Sequence, residues 1–267
     1  MIIVRILGGL GNQMFQYAYA KSLSLKGYDV QLDISKFKTY TLHGGYQLDK
    51  FKIDLKIANP FSVFLGKIGL KKSIKEKSLV FDSKFKSLKG NEYVKGYFQT
   101  EKYFKEIRTV LLSEFIINKK LSEDCILISE QILTAKNSCS LHIRRGDYIS
   151  DEKANKVHGT CDLDYYKRGI EHINKTYNNV TFFVFSDDVL WTKNNLPVEN
   201  AVYVDIKSIP HEDMYLMSLC SHNITANSSF SWWGAWLNKN ENKTVIAPKK
   251  WFVDKENEVA CQNWILL

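Results

Sequence analysis

Residues 2–33 read IIVRILGGLGNQMFQYAYAKSLSLKGYDVQLD, and the class of fold follows from how this stretch alternates. Ile2 to Leu7 is a β-branched apolar run that stops at Gly8 and Gly9. Met14, Phe15, Tyr17, Ala18 and Leu23 then recur at helical spacing, and Asp29 to Asp33 returns to an extended pattern. Strand, glycine turn, helix and strand make a βαβ opening. The second half repeats the alternation, with strands expected at Cys139–Ile143, Val180–Phe185, Ala201–Val204, His222–Ala226 and Thr244–Ala247. Helices are expected at Leu163–Asn174, Asp213–Cys220 and Ser229–Leu237, and before them at Glu101–Phe115 and Ser122–Lys136. From Tyr40 to Lys95 the periodicity is weak, and irregular pieces and loops are expected. Strands and helices in alternation with short connections imply an α/β chain with parallel sheets, which take ligands at the carboxyl ends of their strands.

Composition sets the outer limits. A chain of 267 residues with 45% apolar and 13% aromatic content buries a large core, enough for one large domain or two smaller ones, so general disorder is excluded. Lysine and arginine number 37 against 29 aspartate and glutamate, a net +8, which favours an anionic partner: a phosphate, a nucleic acid or a membrane surface. The lysines are scattered rather than gathered with aromatics on one face, which argues against nucleic acid. The densest run, KIGLKKSIKEK at 67–77, reads as a solvated helix face, with peripheral membrane contact as the next reading. Five cysteines (Cys125, Cys139, Cys161, Cys220, Cys261) are spread without a CxxC pair, so neither a zinc site nor a disulfide framework is expected, and a reducing, cytoplasmic compartment fits. The apolar start is too short for a signal or membrane-spanning segment and reads as a buried strand.

Four segments carry chemistry. In Gly8-Gly9-Leu10-Gly11-Asn12-Gln13, glycines between a strand and a helix let a ligand approach the backbone amides, so Gly9, Gly11 and Asn12 are candidate site residues. Met14 stands where the dinucleotide fingerprint requires glycine, which argues against a nicotinamide or flavin cofactor. In HIRRGDY at 142–148, His142, Arg144 and Arg145 follow a strand directly, and paired guanidinium forks suit diphosphate oxygens without a metal. In Ser186-Asp187-Asp188, a carboxylate at a strand end suits a ribose or the amine edge of a guanine, and it equally suits a helix N-cap. Asn227, Ser228 and Ser229 open the apolar helix SSFSWWGAWL, where amides and hydroxyls make a phosphate cradle, while the tryptophans belong to the core. Asp162 and Asp164 match a metal-binding DxD pattern, but they open a helix and read as capping, so no metal ligand is assigned.

Taken in order and spacing, GGLGNQMFQYA, HIRRGDY, FVFSDD and NSSFSWWGAWL resemble the α-1,2-fucosyltransferases of glycosyltransferase family 11, bacterial members especially, over nearly the whole chain. The segment HGTCDLDYY at 158–166 also looks like that family. The resemblance implies a GT-B-like fold with a cleft between two Rossmann-type lobes, an acceptor-side lobe at 1–136 and a GDP-sugar lobe at 137–267. It implies inverting transfer of fucose from GDP-β-L-fucose to the 2-hydroxyl of a galactose, with no cofactor and no obligatory metal. A bacterial surface polysaccharide or a lipid-linked oligosaccharide at the inner face of the membrane would be the acceptor. It further implies that Arg144 clamps the diphosphate with His142 and Arg145 in support, and that Asp187 or Asp188 contacts guanosine. Ser228 and Ser229 would hold phosphate, and Asn12 matches an active-site asparagine of the related protein O-fucosyltransferases. Asp147 or Glu152 would be the general base. Transfer from another GDP-sugar, or nucleotide and sugar binding without catalysis, are the alternatives.

Overall fold

Hydrophobic segments short enough to be strands and periodic enough to be helices sort into two compact units, Met1–Lys119 with Glu256–Cys261, and Lys120–Lys255 with Gln262–Leu267. The computed structural model describes residues 1–40, 44–145, 159–205 and 209–267. The division falls at Lys119, ahead of the expected 136, because the helix that follows packs within the second unit.

The first unit is built on four parallel strands in the order β2-β1-β4-β3, with β1 at Ile2–Arg5, β2 at Val30–Asp33, β3 at Lys72–Lys75 and β4 at Glu92–Lys95. Helix α1 (Leu10–Ser24) connects β1 to β2 and is buried along nearly its whole length. Its one internal cation, Lys21, is held by Asp54 at 2.6 Å and Glu114 at 2.5 Å, and Tyr17 donates to Glu114 at 2.6 Å. A buried cation needs such partners, since unpaired it would cost several kcal/mol. Helices α2 (Pro60–Lys67) and α3 (Arg108–Glu114) complete the unit.

Three sequence expectations fail here for definable reasons. The weakly periodic region holds α2, β3 and β4. β4 was hidden by the buried Glu92, whose carboxylate accepts the amides of Lys89, Gly90 and Asn91. The lysine run at 67–77 is not one helix face but the end of α2, a turn at Gly69 and the edge strand β3. The helix expected at Glu101–Phe115 is broken into two 3-10 turns and α3. The break lies at Phe104, which takes a φ of −147° outside the helical range between the two 3-10 turns.

The second unit is a six-stranded parallel sheet, with β5 at Asn137–Ile143, β6 at Val180–Ser186, β7 at Ala201–Tyr203, β8 at His222–Ile224, β9 at Val245–Ala247 and β10 at Ile265–Leu266. Its helices are α4 (Glu123–Thr134), α5 (Leu163–Thr176), α6 (Val189–Asn195), α7 (Pro210–Leu219) and α8 (Ser229–Leu237). The spatial order is β10-β9-β8-β5-β6-β7. The chain therefore steps outward from β5 in one direction through β7, then returns to β8 and steps outward in the other. The reversal lies between β5 and β8, where such sheets leave a crevice at the carboxyl ends of the strands. One core packs α5 against Leu141, Val184, Ile224 and Ile246, and a second packs α4 and α7 against Phe183 and Phe185, so both faces of the sheet are covered.

Candidate active site at the strand reversal

β5 is buried from Ser138 to Ile143, and its carboxyl end delivers His142, Arg144 and Arg145 to the reversal point. The register pairs Ile143 with Ser186 on β6, which sets the next residue, Asp187, opposite the arginines. One carboxylate then engages both: its Oδ1 accepts the backbone amide of Arg145 at 2.9 Å, and its Oδ2 pairs with Nη1 of Arg144 at 3.1 Å. Asp188 has a different task. It caps α6, accepting the amide of Trp191 at 3.0 Å, while Ser186 accepts the amide of Asp188 at 3.0 Å. Capping places Trp191 in the first turn of α6, where its indole lies 3.2 Å from the guanidinium carbon of Arg145. Such stacking satisfies the flat face of a guanidinium and leaves its edge for hydrogen bonds. The Nε of Arg145 is buried with no partner among the described residues.

β8 lies on the other side of β5 in the register Leu141 to Ile224, so the chain leaving β8 runs beside the chain leaving β5. Asn227 there is buried and ties down the approach to α5: its Nδ2 donates to the carbonyl of Gly159 at 3.1 Å, and its Oδ1 accepts from the Cys161 thiol at 3.6 Å. Ser228 is the N-cap of α8 and accepts the amide of Phe230 at 3.3 Å, and Ser229 heads the helix, half-buried. Phe230 lies 5.8 Å from the ring of His142. That imidazole is buried, its Nδ1 has no partner among the described residues, and burial followed by the positive charge of Arg144 lowers its pKa to about 3. His142 is therefore a neutral donor or acceptor near neutral pH and adds no positive charge to the arginines. Asp162 caps α5, accepting the amide of Tyr165 at 2.7 Å, and Asp164 pairs with Arg168 at 2.9 Å. Burial pushes the Cys161 thiol up to about 11, so it offers no thiolate nucleophile at neutral pH.

The glycine loop belongs to the first unit. Gly8 has a φ of +88°, a left-handed backbone that glycine adopts without strain. Gly9 is the N-cap of α1, and the first turn of the helix holds no acidic residue. Gly11 is in the first turn and buried, and Asn12 is half-buried, its Oδ1 accepting from Gln99 at 2.7 Å. Gln13 is a brace: its amide donates to the carbonyls of Gly8 at 2.8 Å and Gly45 at 2.7 Å, and its Oε1 accepts the amide of Gln47 at 2.9 Å.

The second unit thus brings His142, Arg144, Arg145, Asp187, Asp188, Asn227, Ser228 and Ser229 to one end of one sheet, while Gly9, Gly11 and Asn12 stand at the end of β1 in the first. Asp147 and Glu152 lie outside the described residues. Sequence reasoning passed over Trp191, whose signal was an aromatic three residues after an acidic N-cap. Among the described residues no three His, Cys, Asp or Glu side chains are grouped to hold a metal ion. The end of β5 thus presents a guanidinium pair fixed by a carboxylate and an indole, and the end of β8 a serine-capped helix start, both of them donor groups of the kind that bind anions.

Two α/β units, each built on a parallel sheet, place the fold in the GT-B class. The chain belongs to glycosyl transferase family 11, whose family model matches residues 1–267. It is 39% identical to an alpha-1,2-colitosyltransferase of Escherichia coli, over 96% of this chain and 94% of the relative. It is 34% identical to the O-antigen biosynthesis glycosyltransferase WbnK of Escherichia coli, over 97% of this chain and 98% of the relative. Its fold is similar to that of the fucosyltransferase NodZ from Bradyrhizobium, with a TM-score of 0.54 at 12% identity, over 87% of this chain and 91% of that one.

Proposed function

We propose that this glycosyltransferase moves L-fucose from GDP-β-L-fucose to the 2-hydroxyl of a galactose in a glycan acceptor, with inversion at the anomeric carbon and without an obligatory metal. The observation that carries the reading is the Arg144–Arg145 pair at the strand reversal, held by Asp187 and Trp191. As the bond from fucose C1 to the β-phosphate oxygen breaks, negative charge gathers on GDP. Preorganised guanidinium groups meet that charge better in the transition state than in the ground state, which is what lowers a barrier. The acceptor hydroxyl attacks C1 from the face opposite GDP and gives its proton to a general base, for which Asp147 and Glu152 are the candidates.

The arginine pair recognises the diphosphate and is indifferent to the sugar, so a second donor reading stands beside the first. The similarity to a colitosyltransferase favours colitose, a related deoxy sugar, as the transferred group. Acceptors built into O-antigen are the natural class for either sugar, given the name of the relative WbnK. The test is acceptor-dependent GDP release from GDP-fucose, GDP-colitose and GDP-mannose, with β-galactosides, in EDTA. Turnover of GDP-fucose above the others supports the first reading, and preference for GDP-colitose the second. Turnover of GDP-mannose alone, or turnover that requires added metal, contradicts both.

A further inference from the structure

Helix α2 is apolar on two opposite faces. Val63 and Gly66 pack it onto the sheet, where Gly66 lies so close to Tyr93 that a Cβ on it would come within 2.5 Å of the ring. At 100° per residue, Phe61, Phe64 and Ile68 project from the other side, and they are 69%, 54% and 54% exposed. Gly69, with a φ of +87°, ends the helix, and the Leu70 amide returns to the Leu65 carbonyl at 3.1 Å. That capping turn brings Leu70, 67% exposed, back beside Leu65 on the same outer face. A helix apolar all round is normally covered on every side, and an exposed cluster of large apolar side chains marks an interaction surface.

The surroundings of this face indicate what covers it. From Lys56 to Lys77 the chain carries six lysines and a single acid, Glu76. Glu76 already accepts the amides of Tyr97 and Phe98. Lys71 is buried against Met1 and Asn91, and Lys56, Lys67, Lys72, Lys75 and Lys77 are exposed. Lysines on the edge strand β3 also discourage strand pairing. That role leaves two exposed phenylalanines on the helix packed against β3 unexplained. Aromatic and aliphatic side chains on one helix face, flanked by lysine and almost free of acid, match a surface that is apolar beneath and anionic above.

We infer that α2 and β3 form a docking surface for an anionic phospholipid bilayer, with Phe61, Phe64, Ile68 and Leu70 entering the interface and Lys72, Lys75 and Lys77 meeting the headgroups, while Lys67 is engaged by Ser35 and Asp33. The full chain should cosediment with phosphatidylcholine vesicles containing phosphatidylglycerol, and not with phosphatidylcholine alone. Raised salt should weaken the binding. Phe61→Ser with Phe64→Ser, and separately Lys72→Glu with Lys75→Glu, should each weaken binding at least about tenfold while GDP binding stays unchanged. Absence of vesicle binding by the wild type, or binding that survives both double variants, would overturn the inference. So would a wild-type dimer that Phe61→Ser with Phe64→Ser converts to a monomer without altering vesicle binding, since a second copy would then be the occupant. The two variants act on different side chains, apolar and charged, so a folding defect in one leaves the other decisive.

Discussion

Asp187 shows how one side chain does two jobs that the sequence alone leaves ambiguous. A carboxylate at a strand end suits a ribose, a guanine edge or a helix cap, and here it fixes the backbone of one arginine and the side chain of the other. Arg144→Ala should lower kcat/KM at least about a hundredfold, some 2.7 kcal/mol of transition-state stabilisation; a loss within tenfold of wild type would remove the proposed clamp. Asp187→Asn should weaken GDP and slow turnover while leaving the competitive affinity of guanosine unchanged. A parallel loss for guanosine would return this carboxylate to the nucleoside. His142 carries a pH dependence whose sign follows from its lowered pKa. The unfolded state takes up a proton near the ordinary histidine value of about 6.5, and the folded state only near 3, so between these values the unfolded state binds more protons. Folding stability should therefore fall as pH drops through that window, by up to about 1.4 kcal/mol per pH unit, and His142→Leu should flatten this slope in urea titrations.

At the scale of elements, α6 and α8 position the site, and their contribution is read as stability. Asp188→Ala removes the cap of α6 and should cost about 1 kcal/mol of stability, read by thermal or denaturant unfolding. Gly234 packs α8 onto α7 so closely that a Cβ there would come within 2.7 Å of the Met217 Cβ. Gly234→Ala should destabilise by about 1–3 kcal/mol, because the contact is with an atom next to the backbone and not with a mobile side-chain end. These elements also show what the sequence discloses. The span Ser229–Leu237 was legible to the residue because two serines precede an apolar run interrupted only by Ser231, and β6 because β-branched and aromatic residues fill it. β3 was illegible because an edge strand with one half-buried residue, Ile74, carries no alternation strong enough to see. β4 was hidden by Glu92, a charge buried only because three local amides satisfy it, and no window of sequence displays those partners. The arginine pair was legible as an anion site, whereas its indole support came from α6, an element the sequence reading had not delimited.

For the whole molecule, two parallel sheets and a net +8 frame the chemistry. Part of that charge is local to the site, where Arg144 and Arg145 stand, and part lies on the outer face of α2 and β3, so charge had to be resolved into separate surfaces before it meant anything. Alternation along the chain disclosed β1 and β2 of the first sheet and β5 to β9 of the second, but the strand order of the second, and hence the reversal that places the site, depends on long-range pairing such as β5 with β8 that no local pattern encodes. Among the described residues no helix is long and apolar enough to cross a membrane. The proposed reaction is transfer to one defined hydroxyl. The most direct measurement is linkage analysis of the product formed from GDP-fucose and a β-galactoside. Fucose α-linked to O2 of galactose is the predicted result, and fucose at another position or in the β configuration, or GDP release without a glycan product, would contradict it.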